Sequence, residues 1–137
     1  QNKEVQLSGP ISPDTCWNSS AKAWKDKTAQ KHDELIALVS HLPYLTASAL
    51  IDVATKDNSQ DTIKSIYGPG FKDSTRLAAS SPYWGTDICT HNKKSIISAL
   101  DNMIDILKQL KSLIQTSEIQ TLTNILKRNK EKKESIF

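Results

Sequence analysis

Residues 96–114, IISALDNMIDILKQLKSLI, decide the fold. Within them Ile96, Ile97, Leu100, Met103, Ile104, Leu107, Leu110, Leu113 and Ile114 recur at steps of three and four. That is the period of one helical side sustained over about five turns, so the stretch predicts a long helix. The apolar stripe is too wide for a single contact surface. It is expected to pack partly on its own domain and partly on a second copy, which predicts a homodimer. Downstream, Ser117 is followed three residues later by Gln120, the form of a capping box. A further helix is therefore predicted to start there and run through Ile119, Leu122, Ile125 and Leu126, making an antiparallel pair with the first.

Upstream the same step reappears from His32 in Leu35, Leu38, Val39, Leu42, Thr46, Ala49, Leu50 and Val53. Pro43 lies inside this run. Proline offers no N–H and clashes with the carbonyl four residues back, which predicts a kink near Ser40–Leu42. Shorter helices are predicted over Asp61–Tyr67, Phe71–Ala79 and Tyr83–Ile88, with Gly68-Pro69-Gly70 and Ser80-Ser81-Pro82 as breaks. Residues 1–30 are poorly periodic. There Val5, Leu7 and Ile11 suit a short strand interrupted by Pro10, Pro13 and Asn18, so they read as a leading segment ahead of an all-α domain over 31–137. No internal repeat is visible.

Composition limits the function classes. The chain has 137 residues, 18 Lys+Arg against 15 Asp+Glu, a net charge of +3 and 37% hydrophobic residues, which suits one globular domain. A chain of this length buries roughly two-thirds of its unfolded surface and needs no disulfide or metal staple. No uninterrupted apolar run approaches the roughly 20 residues of a membrane span, so no membrane partner is expected. Cys16 and Cys89 show no CxxC or Cys/His spacing, which points away from a metal site and toward a reducing cytoplasm. In that compartment the Asn18-Ser19-Ser20 sequon carries no weight. Lys127, Arg128, Lys130, Lys132 and Lys133 complement a helix C-terminus, and no nucleic-acid partner is expected from them.

Two clusters carry polar chemistry. Ser40-His41-Leu42-Pro43-Tyr44 places Ser40, His41 and Tyr44 at helical neighbour spacing beside the expected kink. His41 reads either as a core histidine with its ring N–H satisfied or as a cleft donor. In Gly68-Pro69-Gly70-Phe71-Lys72-Asp73-Ser74-Thr75-Arg76, a glycine turn opens a helix on which Asp73 and Arg76 are three apart. This arrangement suits carboxylate binding, with Arg76 as a two-pronged donor, or simply a surface ion pair worth under about 1 kcal/mol.

In order, His32-Asp33, Ser40-His41-Leu42-Pro43, Gly70-Phe71-Lys72-Asp73-Ser74-Thr75-Arg76-Leu77-Ala78, Asp87-Ile88 and Asn92 resemble the C-terminal domain of the prephenate and arogenate dehydrogenases of tyrosine biosynthesis. The resemblance covers roughly residues 21–115. It implies an all-helical substrate and dimerisation domain, similar to the C-terminal domain of 6-phosphogluconate dehydrogenase. It also implies an NAD- or NADP-dependent oxidoreductase that oxidatively decarboxylates prephenate to 4-hydroxyphenylpyruvate, or arogenate to tyrosine. Ser40, His41 and Arg76 inherit places in the substrate cleft, with Arg76 gripping a carboxylate. Tyr44, Gly70 and Asp73 complete the expected substrate-binding set, Asp73 by pairing with His41 or Arg76.

The chain departs from the family pattern at four places. Tyr44 stands for a second histidine, Lys72 for arginine and Pro69 for glycine. Gly85 falls where tryptophan is usual, with Trp84 one position early and so turned about 100° round the helix. No GxGxxG follows a strand, so residues for the dinucleotide, and the family's catalytic histidine, are expected in a preceding domain of which 1–30 retain a remnant. The chain alone is expected to bind no dinucleotide and to be inactive. The other reading is a non-catalytic helical dimer module that binds a partner or a small carboxylate.

Overall fold

The computed structural model of the chain describes residues 29–137. The expected leading strand, Cys16 and the Asn18 triplet lie outside them. Among the described residues every regular element is helical, as the periodicity predicts. The first is a continuous helical stretch of 27 residues, built from α1 (Ala29–Ile36), a π turn (Ala37–His41) and α2 (Leu42–Thr55). The expected kink takes the form of that π turn. Leu42 N–H donates to the Ala37 carbonyl, one residue further back than an α-helix would reach, and Pro43, which has no N–H to give, follows at once, so the wider turn falls where the α ladder is interrupted.

This stretch departs from the expectation that nothing here could span a bilayer. Its mean hydropathy of 1.4 and its length pass that test, because short apolar runs add up across His41, Pro43 and Tyr44. A core helix passes the same test. Here Ala37, Leu42 and Ala47 are buried within the fold.

The long helix is α6 (Lys93–Gln115), which packs on the π turn and on α5 (Pro82–His91). Ala37, Leu42, Ile96 and Ala99 form the core, flanked by Leu45, Cys89, Leu100 and Met103. The two alanines let the π turn and α6 come close, and burying Leu42 or Ile96 contributes roughly 2 kcal/mol each. The core is small. Ile97, Ile104, Leu107 and Ile114 of α6 all remain exposed.

Two helix ends differ from the expectation. The helix expected over Phe71–Ala79 divides into α4 (Pro69–Ser74) and a 3-10 helix (Arg76–Ala79). At the break Thr75 donates its hydroxyl to the Phe71 carbonyl at 2.7 Å, and the chain continues with tighter bonds, Ala78 N–H to Thr75 O and Ser80 N–H to Leu77 O, each 3.0 Å. The 3-10 helix packs on α2. The preceding α3 (Gln60–Ile66) is capped by Ser59, which accepts from the Thr62 N–H.

The capping box at Ser117 and Gln120 does not form. Ser117 has φ 57°, and the N–H of Glu118 donates to Leu113 O while the N–H of Ser117 donates to Ile114 O. That pair of bonds is a Schellman motif, so Ser117 closes α6 rather than opening α7 (Ile119–Ile136). Gln120 instead donates to Asn124. The α7 helix still follows and still packs on α6. Its basic end is solvated, with Lys130 paired to Glu134 and Lys133 over the Phe137 ring.

Candidate functional site

The π turn delivers Ser40 half-buried and His41 buried, at 8% exposure. Two neighbours from the far end of the chain meet His41. Asn92, at the junction of α5 and α6, donates its side-chain amide to the Asp33 main-chain carbonyl at 2.8 Å, and the same nitrogen lies 3.4 Å from His41 Nδ1. Trp84 of α5 presents its ring edge-on to His41, with centroids 6.5 Å apart. The Asp33 carboxylate meets the His32 ring at 3.3 Å. Burial holds the His41 ring below its ordinary value of 6.5, and the nearby Asp33 charge opposes this.

Tyr44, one turn on from Ser40, makes a closer edge-on contact with Trp84, at 5.2 Å and 80°. Its ring also lies over Gly85. A Cβ on residue 85 would come within 2.7 Å of Tyr44 Cε1 and Cζ and would also collide with the hydroxyl. Gly85 is buried. The two departures from the family pattern at residues 44 and 85 are thus one feature of size complementarity.

The second cluster is placed differently. Gly70 and Asp73 are exposed on α4 and Arg76 is exposed on the 3-10 helix. The break at Thr75 takes residues 73 and 76 off a common helical face, and neither Asp73 nor Arg76 has a side-chain partner among the described residues. Asp73 therefore pairs with neither His41 nor Arg76, contrary to expectation. Open space surrounds Gly68 and Gly70. What brings the clusters toward each other is the packing of the 3-10 helix on α2, the helix that continues from His41. A groove of about 190 Å³ between α1 and α6, lined by Lys31, Glu34, Leu35, Leu38, Ser95 and Ala99 among others, holds none of these residues.

Trp84 and Asn92 join this cluster, although neither is singled out by sequence reasoning as a candidate site residue. The one-position offset of Trp84 argues against it, yet its ring meets those of both Tyr44 and His41. Asn92 had no signal beyond its place in the motif order.

The described residues thus form an all-helical domain in which a buried histidine and an aromatic pair stand beside a helix that carries an exposed arginine. Residues 28–128 match the family model described as prephenate dehydrogenase, dimerization domain, and the chain belongs to that family. It is 34% identical over 93 residues to the cyclohexadienyl dehydrogenase of Zymomonas mobilis, covering 66% of this chain and 32% of that one. Among solved structures it is similar to Synechocystis arogenate dehydrogenase, with 25% identity, a TM-score of 0.76, and 81% of this chain and 41% of that one covered. It is similar also to the prephenate dehydrogenase of A. aeolicus, solved in complex with hydroxyphenyl propionate and NAD+, with 33% identity, a TM-score of 0.75, and 81% and 39% covered. The chain spans about a third of the length of the curated relatives it matches.

Proposed function

We propose that this chain is the substrate-cleft and dimer-forming half of a prephenate or arogenate dehydrogenase that works in the cytoplasm. The observation that carries the reading is His41, buried on a π turn with a polar ring edge beside the aromatic pair Tyr44 and Trp84. Such a wall suits a ring compound carrying carboxylates. Trp84 and Tyr44 offer apolar surface to the ring, while His41, Ser40 and the Tyr44 hydroxyl offer polar contacts. Arg76, exposed and without a side-chain partner among the described residues, is the donor for a carboxylate. Gly70 and Asp73, exposed on α4 just before Arg76, complete the set.

In the overall reaction the ring alcohol is oxidised and the ring carboxylate leaves as carbon dioxide. The hydride passes to a nicotinamide, NAD or NADP. No residue of this sequence forms a Gly-rich fingerprint after a strand, so no nicotinamide contact is assigned here. What the chain's own residues do is bind the acid, orient its ring and keep water from one side of it. The exposed face formed by Ile97, Ile104, Leu107 and Ile114 supports a homodimer through α6.

Calorimetric titration of the chain with prephenate and with arogenate tests this. Binding of one acid is expected, weakened by about 1.5–3 kcal/mol in Arg76→Ala, the range for hydrogen bonds to charged groups. Equal binding by the variant would overturn the role of Arg76. No binding by the unmutated chain would leave a dimer scaffold.

A further inference from the structure

We propose that Asn92 is a positioning residue that fixes the His41 ring as its Nε2–H tautomer, so that His41 meets its ligand as a neutral hydrogen-bond donor. The inference deepens the substrate-cleft reading and rests on it for the word ligand, but not for the geometry.

The geometry is over-determined at Asn92. A side-chain amide can be placed either way round, and here the choice is made by the Asp33 carbonyl, which can only accept; the NH2 group must point at it, 2.8 Å away. That same nitrogen is the atom beside His41 Nδ1 at 3.4 Å. A donor facing Nδ1 leaves Nδ1 as acceptor, and the ring proton sits on Nε2. Asn92 does this in place of a commoner task. It occupies the N-cap of α6, where asparagine ordinarily accepts from the helix N–H groups, yet its side chain makes no cap bond. It reaches instead across 59 and 51 residues of sequence to the middle of α1 and to the π turn.

The other ring nitrogen is available. Among the described residues no buried side-chain nitrogen or oxygen lacks a partner, and His41 has no further hydrogen bond, so Nε2 is the edge that reaches the surface. Of the elements around the ring, α1 contributes the Asp33 charge that acts on it, α5 contributes Trp84 and α6 contributes the Asn92 amide. The Asp33 carboxylate favours a charged imidazole, while burial and the donor at Nδ1 favour the neutral one. The partner that Nε2–H selects is an acceptor, namely a carboxylate, carbonyl or hydroxyl oxygen.

The test is ring nitrogen NMR on the uniformly 15N-labelled chain above the titration range of its histidines, with His41 assigned by the signals lost in His41→Gln. The unmutated chain is expected to show protonated Nε2 and bare Nδ1 at His41. In Asn92→Ala the pattern should shift toward exchange between the two tautomers, and in Asn92→Asp, whose carboxylate can only accept, it should invert to Nδ1–H. An Nδ1–H ring in the unmutated chain would overturn the proposal, as would an unchanged Nε2–H pattern in either variant if folded. These outcomes need no ligand. A chain that shows the expected tautomer yet binds neither acid removes the substrate reading alone, and a chain that binds with Nδ1–H removes this inference alone.

Discussion

The ring of Tyr44 fills the space that a side chain on residue 85 would need: a Cβ there would lie 2.7 Å from both Cε1 and Cζ of the ring. Gly85 sits in the middle of α5, where glycine ordinarily costs about 1 kcal/mol relative to alanine. The helix tolerates that cost because the ring is there.

Gly85→Ala is accordingly expected to destabilise the domain by about 1–3 kcal/mol, the range for overpacking. With the ring removed in Tyr44→Ala, the same Gly85→Ala change should become stabilising, by up to about 1 kcal/mol through helix propensity. Urea unfolding of the four proteins in the cycle measures this. An unchanged sign in the two backgrounds would show that the ring and the glycine are not coupled.

How far the sequence disclosed all this varies with the kind of signal. The α6 helix was legible because nine apolar residues repeat a single period. Pro43 announced an irregularity but not its form, since a kink and a π turn both accommodate a proline. Thr75 gave no warning, because whether its hydroxyl bonds to a main-chain carbonyl depends on a local contest that composition does not record. Ser117 misled for a similar reason: the same Ser-x-x-Gln pattern fits the start of one helix, while the backbone used the serine to end another. Within the site, His41 and Tyr44 were visible as neighbours on one helix, whereas Trp84 and Asn92 come from a distant stretch and meet them only through tertiary packing.

His41 should leave a mark on the pH dependence of stability. Its folded value lies below the ordinary 6.5, so below that pH the unfolded chain binds the proton more readily than the folded one. The contribution is therefore complete above pH 6.5 and is lost as pH falls from there through the folded value. Unfolding free energies should drop across this window, and His41→Asn should flatten the slope. Asp33→Asn, which removes the opposing charge, should lower the His41 titration further. Glu34 acts in a separate window, since its depressed value lies below 4.5 and its contribution is lost only as pH falls through it.

Ser117 holds φ 57° at the residue that closes α6, in a left-handed conformation that suits glycine better than serine. Ser117→Gly is expected to stabilise the domain by about 0.5–1 kcal/mol, read as a higher urea midpoint at unchanged slope. A lower midpoint would mean that the Ser117 side chain contributes something its backbone conformation does not show.

Four of the five exposed large apolar residues of α6 share one side of the helix, and Ile106 stands apart from them. Ile97, Ile104, Leu107 and Ile114 follow one another at steps of seven, three and seven, so they line one face of the helix, next to the face that buries Ile96, Ala99 and Leu113. Leu107 is 55% exposed in the single chain, so a charge there costs the isolated fold little. In a dimer formed through this face the same charge would be driven into an apolar contact. Leu107→Glu should therefore remain helical by circular dichroism but sediment as a monomer, while the unmutated chain sediments as a dimer. A folded monomer in the unmutated chain would remove α6 as the dimer surface. A dimer that survives Leu107→Glu would move the interface to another apolar face, of which α7, with Ile119 and Leu126 exposed, is the next to test.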